Sequence, residues 1–411
     1  MNRLNAFVLA FIAIFITISI VAYPEIAFNS ALKGLDIWFN IVFPALLPFF
    51  IGSQLLMGLG VVHFMGVLLE PLMRPFFNVP GVGSFVMAMG LASGYPIGAM
   101  LTGKLRKQNL INKVEAERLM SFTNTADPLF MFGAVAVGMF HNQSLGGIIS
   151  ISHYISCLIL GLLLRFYRFK EKSSLSLNSN KSRSIIFRAF NELYKARKKD
   201  GRPFGELLGD CIKDSVNTLL LIGGFIILFS VIINILIIIG FVDVLSKPFE
   251  LIFTLFKLDK SLVPAVISGI FEITLGTKMA GEVIIPYLYQ KVMIASAIIA
   301  WSGLSVHAQV ASMISGTDIS MLPYIVSRLI HAFLAALITY ILMNPKTQSF
   351  NVYLIPVFAT KYSINPFLNW LLILKSSFKT FLFIVFSLII ISFIFHLIKN
   401  INIITFKVVN K

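Results

Sequence analysis

Residues 76–100 read FFNVPGVGSFVMAMGLASGYPIGAM, an apolar stretch interrupted by Pro80, Gly81, Gly83, Gly90, Gly94, Pro96 and Gly98. Broken backbone at membrane depth is tolerated only where protein or a water-filled cavity takes up the freed N–H and C=O groups. The stretch therefore predicts a re-entrant hairpin, not a lipid-exposed span. A second stretch, 246–276, has the same character. Pro248, Pro264, Gly269 and Gly276 break it, and it carries Lys257, Asp259, Lys260 and Glu272. We read each as a hairpin followed by a more polar helix.

Working outward, runs of about twenty apolar residues predict full spans near 4–23, 37–61, 120–140, 145–167, 214–241, 292–315, 322–343 and 378–398. Hydrophobic residues make up 57% of the 411 residues and charged residues 13%, against about a quarter charged in soluble proteins. The fold class is an all-α polytopic membrane protein, with about eight transmembrane helices plus two re-entrant hairpins in inverted repeats. Arg3 precedes the apolar run Leu4–Ala22. That run is long for a secretory signal and lacks a convincing cleavage site, so we read it as a retained first helix.

The net charge of +16 would suit a nucleic-acid partner, but the basic residues cluster between apolar spans, as the positive-inside rule predicts. No nucleic acid is expected; the bilayer is the partner, and a homo-oligomer is compatible. Segment 101–119 holds Lys104, Arg106, Lys107, Lys113 and Arg118 against Glu115 and Glu117, and 165–213 holds thirteen Lys/Arg against five Asp/Glu. The loop 141–144, HNQS, has no formal charge. A cytoplasmic N-terminus and a re-entrant 76–100 put both basic segments inside. Segment 344–377, with Lys346, Lys361 and Lys375, then falls outside, against the rule. Cys157 and Cys211 are too far apart for a CxxC motif and give no metal or redox signal.

The parts fall into an N-terminal helix and loop (1–36), a first repeat (37–167), a basic linker (168–212), a second repeat (213–343) and a C-terminal loop and helix (344–411). The linker contains SSLSLNSNKSRS, a flexible composition. Its segment 185–199, IIFRAFNELYKARKK, reads either as an amphipathic helix on the anionic leaflet or as a solvated linker. In both repeats a span leads after about 55 residues to a Ser-Gly pair (Ser93-Gly94, Ser268-Gly269), and a polar cluster follows. Starting from opposite sides, the repeats have inverted topology, as in transporters that build a midplane site from discontinuous helices.

Four polar clusters are candidates for the site. In SGYPIGA, Ser93, Gly94, Tyr95, Pro96 and Gly98 combine helix breakers with hydroxyls. The helix start that follows suits a carboxylate or phosphate; the plain alternative is a packing kink. In FTNTADPLF, Asn124, Thr125, Asp127 and Pro128 form a polar cluster within a span; such residues usually face the interior, or else mark a helix boundary, since Asp or Thr before Pro is a common helix start. In SGIFEITLG, Glu272 and Thr274 suit ion coupling or gating. A protonated Glu272 fits H⁺ coupling and an ionised one fits Na⁺; alternatively Glu272 is interfacial and pairs with Lys278. In WSGLSVHAQ, Ser302, Gly303, Ser305, His307 and Gln309 place Ser302, Ser305 and Gln309 near one helical face. His307 is either a proton carrier or a satisfied structural histidine. Arg328 and His331 are either a solute counter-charge or an interfacial pair. HExxH, GxSxG and P-loop motifs are absent, so neither an enzyme nor a cofactor is expected beyond coupling to H⁺ or Na⁺.

Together, FPALLPFF (43–50), SGYPIGA (93–99), FTNTADPLF (122–130), SGIFEITLG (268–276) and GLSVHAQ (303–309) resemble the sporulation integral membrane protein family of YlbJ or SpoVV type, within the nucleoside-recognition, or gate, domain group. The resemblance covers about residues 1–345. It implies two helical hairpins and two unwound helices around one site, as in concentrative nucleoside transporters. It also implies a role in endospore formers: made in the mother cell, with the N-terminus in its cytoplasm, the protein carries dipicolinic acid across the outer forespore membrane. That solute is a small anionic one. One departure is Asp127, where the family's motif has Gly before Pro, which makes Asp127 a poor candidate for a shared mechanism. The rivals are a nucleoside carrier and a non-transporting gate or assembly protein. A nucleoside carrier needs a ribose-binding set of Asn, Glu and Ser/Thr side chains in both halves, and a prominent carboxylate is legible only at Glu272.

Overall fold

The computed structural model describes residues 3–171, 185–285 and 287–343, and the regular elements among them are all helical. α1 (Arg3–Ala22) and α2 (Pro24–Ile37) meet at a 104° bend. Pro24 cannot donate back into α1 but suits a first helical turn, so it starts a new helix. A π-helical turn, Trp38–Val42, leads into α3 (Phe43–Gly58), and Gly60, at φ +83°, turns the chain into α4 (Val61–Leu72). α5 (Gly83–Ser93) and α6 (Ile97–Lys107) come next. α7 (Lys113–Thr123) opens with a capping box between Asn112 and Glu115. The chain then unwinds through Asn124–Asp127, turns helical again at Pro128, forms a π-helical segment, Phe130–Met139, and enters α8 (Leu145–Leu164).

Past α9 (Ile185–Asp200), the same order of parts recurs. A long α10 (Phe204–Ile238) is followed by α11 (Phe241–Leu255) and the short pair α12 (Val263–Phe271) and α13 (Ile273–Glu282). A broken helix, α14 (Leu288–Trp301) with α15 (Gly303–Met313), and a final α16 (Met321–Met343) complete the second half. Because α10 starts at Phe204, the second half reaches back into the stretch read as linker.

Both short pairs are hairpins, and their contacts show it. Along α5, Gly83 packs on Leu119 and Gly90 on Thr123, so α5 runs parallel to α7. α6 runs the other way: Gly98 packs on Asn124, while Arg106 donates to the Ile111 carbonyl (3.2 Å) just before α7. In the second pair, Gly276 lies directly on the backbone of Gly269, with Glu272 at the tip between them. Asp259 N–H donates to Gln290 Oε1 (2.8 Å) and Trp301 Nε1 donates to the Ile270 carbonyl (3.0 Å), so α12 runs parallel to α14. The hairpins occupy 83–107 and 263–282, shifted from the apolar stretches 76–100 and 246–276. The apolar run read off the sequence had included the approach to each hairpin.

Among the described residues four helices are long and apolar enough to cross a membrane: α8, α10, α14 with α15, and α16. A fifth counts if the bent pair Ala13–Ala22 and Pro24–Val42 acts as one span. The expected spans near 37–61 and 120–140 are instead assembled from shorter pieces, because the π turn at Trp38–Val42 and the unwound Asn124–Asp127 interrupt them. The expected span 378–398 and the loop 344–377 lie outside the described residues.

A charged belt ties the first hairpin to both halves. Arg106 at the end of α6 holds Asp318, in the turn before α16, through paired bonds of 2.8 and 3.0 Å. These bonds keep the Asp318 carboxyl below its ordinary range. Buried Glu117 accepts from Tyr167 Oη (3.0 Å) and Ser320 N–H (3.1 Å), and Arg74 pairs with buried Glu115 at 2.9 Å.

The hairpin packing makes a graded prediction. A methyl group at Gly276 would collide with the Gly269 backbone, whereas one at Gly209 on α10 meets nothing within 4 Å. Gly276→Ala should cost about 1–3 kcal/mol, and Gly209→Ala should gain up to about 1 kcal/mol. Thermal unfolding of the purified variants in detergent checks both, and equal midpoints would refute the packing described.

Candidate functional site

Each broken helix leaves backbone groups without intrahelical partners, and named side chains take them up. At the end of α7, the Arg328 guanidinium donates to the carbonyls of Ser121 and Asn124, the latter at 3.0 Å. Cys157 Sγ donates to the Phe122 carbonyl (2.8 Å), and Tyr154 Oη to that of Ala126 (3.2 Å). The Ala126 N–H donates to His153 Nε2 (3.2 Å), which leaves the proton of that ring on Nδ1. Asn124 bridges outward: its Oδ1 accepts from Ala99 N–H (3.3 Å) and its Nδ2 donates to Tyr324 Oη (2.9 Å). Arg328 is fully buried, and among the described residues no carboxylate lies within ion-pair distance of it.

The second break is sharper. Ser302 and Gly303 both adopt φ +74°, so two left-handed residues separate α14 from α15. A serine in this conformation costs roughly 1–2 kcal/mol. Glycine is needed next to it because Gly303 lies against the hairpin tip: an added Cβ would meet Ile273 N and the Phe271 carbonyl at 3.1 Å. The freed Ile299 carbonyl accepts from Tyr95 Oη of the other half at 3.1 Å. His307 Nδ1 donates to the Gly303 carbonyl (2.7 Å), while its Nε2 is buried without a partner. Tyr324 Oη stands 2.9 Å from Asn124 and 3.5 Å from Ser302 Oγ, so one phenol spans both breaks.

Each hairpin tip docks on the break of its own half. Gly94, at φ +72°, lies against Asp127, and Gly303 lies against Glu272. Both carboxylates cap helix starts. Asp127 Oδ1 accepts the N–H groups of Leu129 and Phe130, each at 2.9 Å, and Glu272 Oε2 accepts that of Leu275 at 2.8 Å. The positive ends of these helical segments therefore face carboxylates of the chain itself. The helix start read from SGYPIGA is that of α6, where Ala99 N–H instead donates to Asn124 Oδ1.

Both carboxylates line one partly open cavity. Tyr95, Thr274, Ser305 and Gln309 complete its polar wall. Its apolar wall comes from Val42, Leu46 and Phe50 beside and along α3, from Phe130, and from Ile222 and Phe225 of α10. Of the residues singled out in sequence, Tyr95, Glu272, Thr274, Ser305 and Gln309 meet at this cavity. Ser93, Gly94, Pro96, Gly98, Asn124, Thr125, Ser302, Gly303 and His307 do not line it; they shape or brace the tips and breaks around it. Lys278 pairs with Glu282 at 3.8 Å, not with Glu272, which is 3% exposed. Asp127, set aside in sequence, is in the cavity wall. Its signal was present in the Asp-Pro start of an apolar run, which marks an N-cap as well as a break. The α3 and α10 contributions carried no sequence signal, because apolar residues there look like any span. No group of three or more metal-ligating side chains occurs among the described residues.

Comparison with known proteins adds two findings. Residues 39–153 match the Gate family, described as nucleoside recognition. The sporulation integral membrane protein YlbJ of Bacillus subtilis (strain 168) is 47% identical over 345 residues, 84% of this chain and 84% of the relative.

The bracing of the first break can be graded by substitution. Tyr324→Phe removes one hydrogen bond to Asn124 and should cost about 1 kcal/mol. Arg328→Gln strips two buried carbonyls of a charged donor and should cost about 3 kcal/mol or more. Unfolding of both variants in detergent measures the difference; similar losses would mean that Arg328 does not brace the break.

Proposed function

This chain belongs to the YlbJ family of sporulation integral membrane proteins, and on that premise we propose that it is a secondary carrier of a small anionic solute, dipicolinic acid, across the outer forespore membrane. The observation that carries this reading is the cavity lined by both hairpin tips, by the first break at Ala126 and Asp127, and by the start of α15. Its aromatic side, Phe50, Phe130, Phe225 and Tyr95, suits a flat ring, and Ser305 and Gln309 suit hydrogen bonding to ring substituents. In this reading the halves have inverted topology, and rocking of one against the other gives alternating access.

The cavity's charge sets a condition on the mechanism. Two carboxylates repel a dianion unless cations neutralise them. The solute therefore enters with protons or Na⁺ held at Asp127 and Glu272, and coupling follows from electrostatics. These carboxylates also favour a second reading, a nucleoside-type carrier. A single prominent carboxylate would count against such a carrier, yet the cavity receives one from each half. Paired carboxylates accept hydrogen bonds from a neutral, hydroxyl-rich solute without any cation.

Uptake of labelled dipicolinate and of uridine into proteoliposomes, with and without proton or Na⁺ gradients, separates the readings. Gradient-driven dipicolinate uptake is expected, and Asp127→Asn or Glu272→Gln should weaken its dependence on the gradient by ten-fold or more while the protein stays folded. Gradient-independent uridine uptake would favour the second reading, and folded protein that moves neither solute would sink both.

A further inference from the structure

The basic linker helix α9 plays no part in the cavity, yet it has two different faces. Its inner face braces α4. Ala189 is fully buried, the Leu193 backbone lies against Gly60, and Arg188 reaches Glu70 at 2.6 Å. Glu70 in turn packs on Gly81, at the approach to the first hairpin. Beside that contact, a more outward face carries Ile186, Phe190 and Tyr194 at four-residue spacing, stacked along one side of the helix; the ring of Phe190 meets Phe64 of α4, with ring centroids 4.9 Å apart. They are 40%, 58% and 63% exposed. Large apolar side chains on successive turns are not what a solvated linker presents.

Charge marks what covers this face. Lys195 pairs with Glu192 at 2.7 Å and Arg197 with Asp200 at 3.1 Å. Lys198 and Lys199, at the end of α9, are exposed and form no ion pair among the described residues. The level of the helix is also fixed. Gly58 at the end of apolar α3 abuts Leu207 near the start of α10, and α4 and α9 flank that junction. We propose that the outer face of α9 is seated in an anionic lipid surface, with Ile186, Phe190 and Tyr194 among the acyl-chain ends and Lys198 and Lys199 on phospholipid headgroups. The helix is then an anchor that sets the position of α4, and through Glu70 the approach to the first hairpin. This seat is independent of which solute the cavity takes.

The test uses the full chain with a spin label at Tyr194→Cys, and in a second preparation at Lys199→Cys; the native Cys157 and Cys211 are buried. Each is placed in phosphatidylcholine vesicles with and without phosphatidylglycerol. Collision with oxygen reports the acyl region, and collision with a water-soluble nickel chelate reports solvent. With phosphatidylglycerol, the oxygen-to-nickel collision ratio at position 194 should rise several-fold over neutral vesicles. Lys198→Gln with Lys199→Gln should remove that rise. At position 199 nickel collisions should fall in anionic vesicles without oxygen collisions rising. Equal nickel access at 194 in both lipids would overturn the seat in favour of a solvated linker. The same oxygen-rich depth in both lipids would overturn the role of the lysines. Shielding from both reagents would overturn it in favour of a protein segment covering the face.

Discussion

A helix can be opened inside a bilayer only if something other than water completes its backbone hydrogen bonds, and here Arg328 is the main answer. One guanidinium from α16 serves two carbonyls at the end of α7. It acts where the helix dipole is negative, so charge and hydrogen bonding favour the same placement. Around it, Cys157, Tyr154 and His153 from α8 take the neighbouring groups. The unwound stretch is therefore held by the last helix of each half, α8 and α16. Without those helices the break would close into an ordinary helix or fail to fold, and the tip of the first hairpin would lose the surface on which Gly94 and Gly98 rest.

The two cavity carboxylates do structural and electrostatic work with the same atoms. Asp127 and Glu272 each begin a helical segment by accepting backbone N–H groups. A cation or proton arriving at either one competes with those N–H groups for the same lone pairs. Occupancy of the cavity is thus linked to how firmly the adjacent helix starts are capped. An ionised cap holds its segment more tightly than a neutral one, so in the proposed carrier loading of either carboxylate would loosen the helical segment it caps.

Much of this was legible in the chain because breakers in an apolar run have few physical explanations. Pro and Gly within 76–100 and 246–276 forced the hairpin reading, and the contacts bear out two hairpins, though displaced toward the C-terminus. The boundaries slipped because apolar α4 and α11 read as continuous with the hairpins after them. The Ser302-Gly303 break lay inside a run read as one span; its residues stood out as a polar cluster, but two successive left-handed residues leave no mark in hydropathy. Asn124 was legible as polar, yet its bond to Tyr324, 200 positions away, was not. Asp127 was set aside by comparison with a motif, while the local rule for a residue before Pro and an apolar run gave it the capping role that its bonds to Leu129 and Phe130 fill. The spans expected near 37–61 and 120–140 came apart into shorter pieces for the same reason: composition measures apolar length and is blind to where a helix stops.

The hydrogen bond from Tyr95 to the Ile299 carbonyl links the first hairpin to the broken helix of the other half. It satisfies a group that the break itself exposed. Any movement that parts the hairpin from α14 strands that carbonyl in a dry interior, where it cannot stay unpaired at low cost. A replacement donor such as a water molecule must arrive with the movement. In the proposed carrier, wetting of this one oxygen would accompany any parting of the two halves, and Tyr95 would be the group that water replaces.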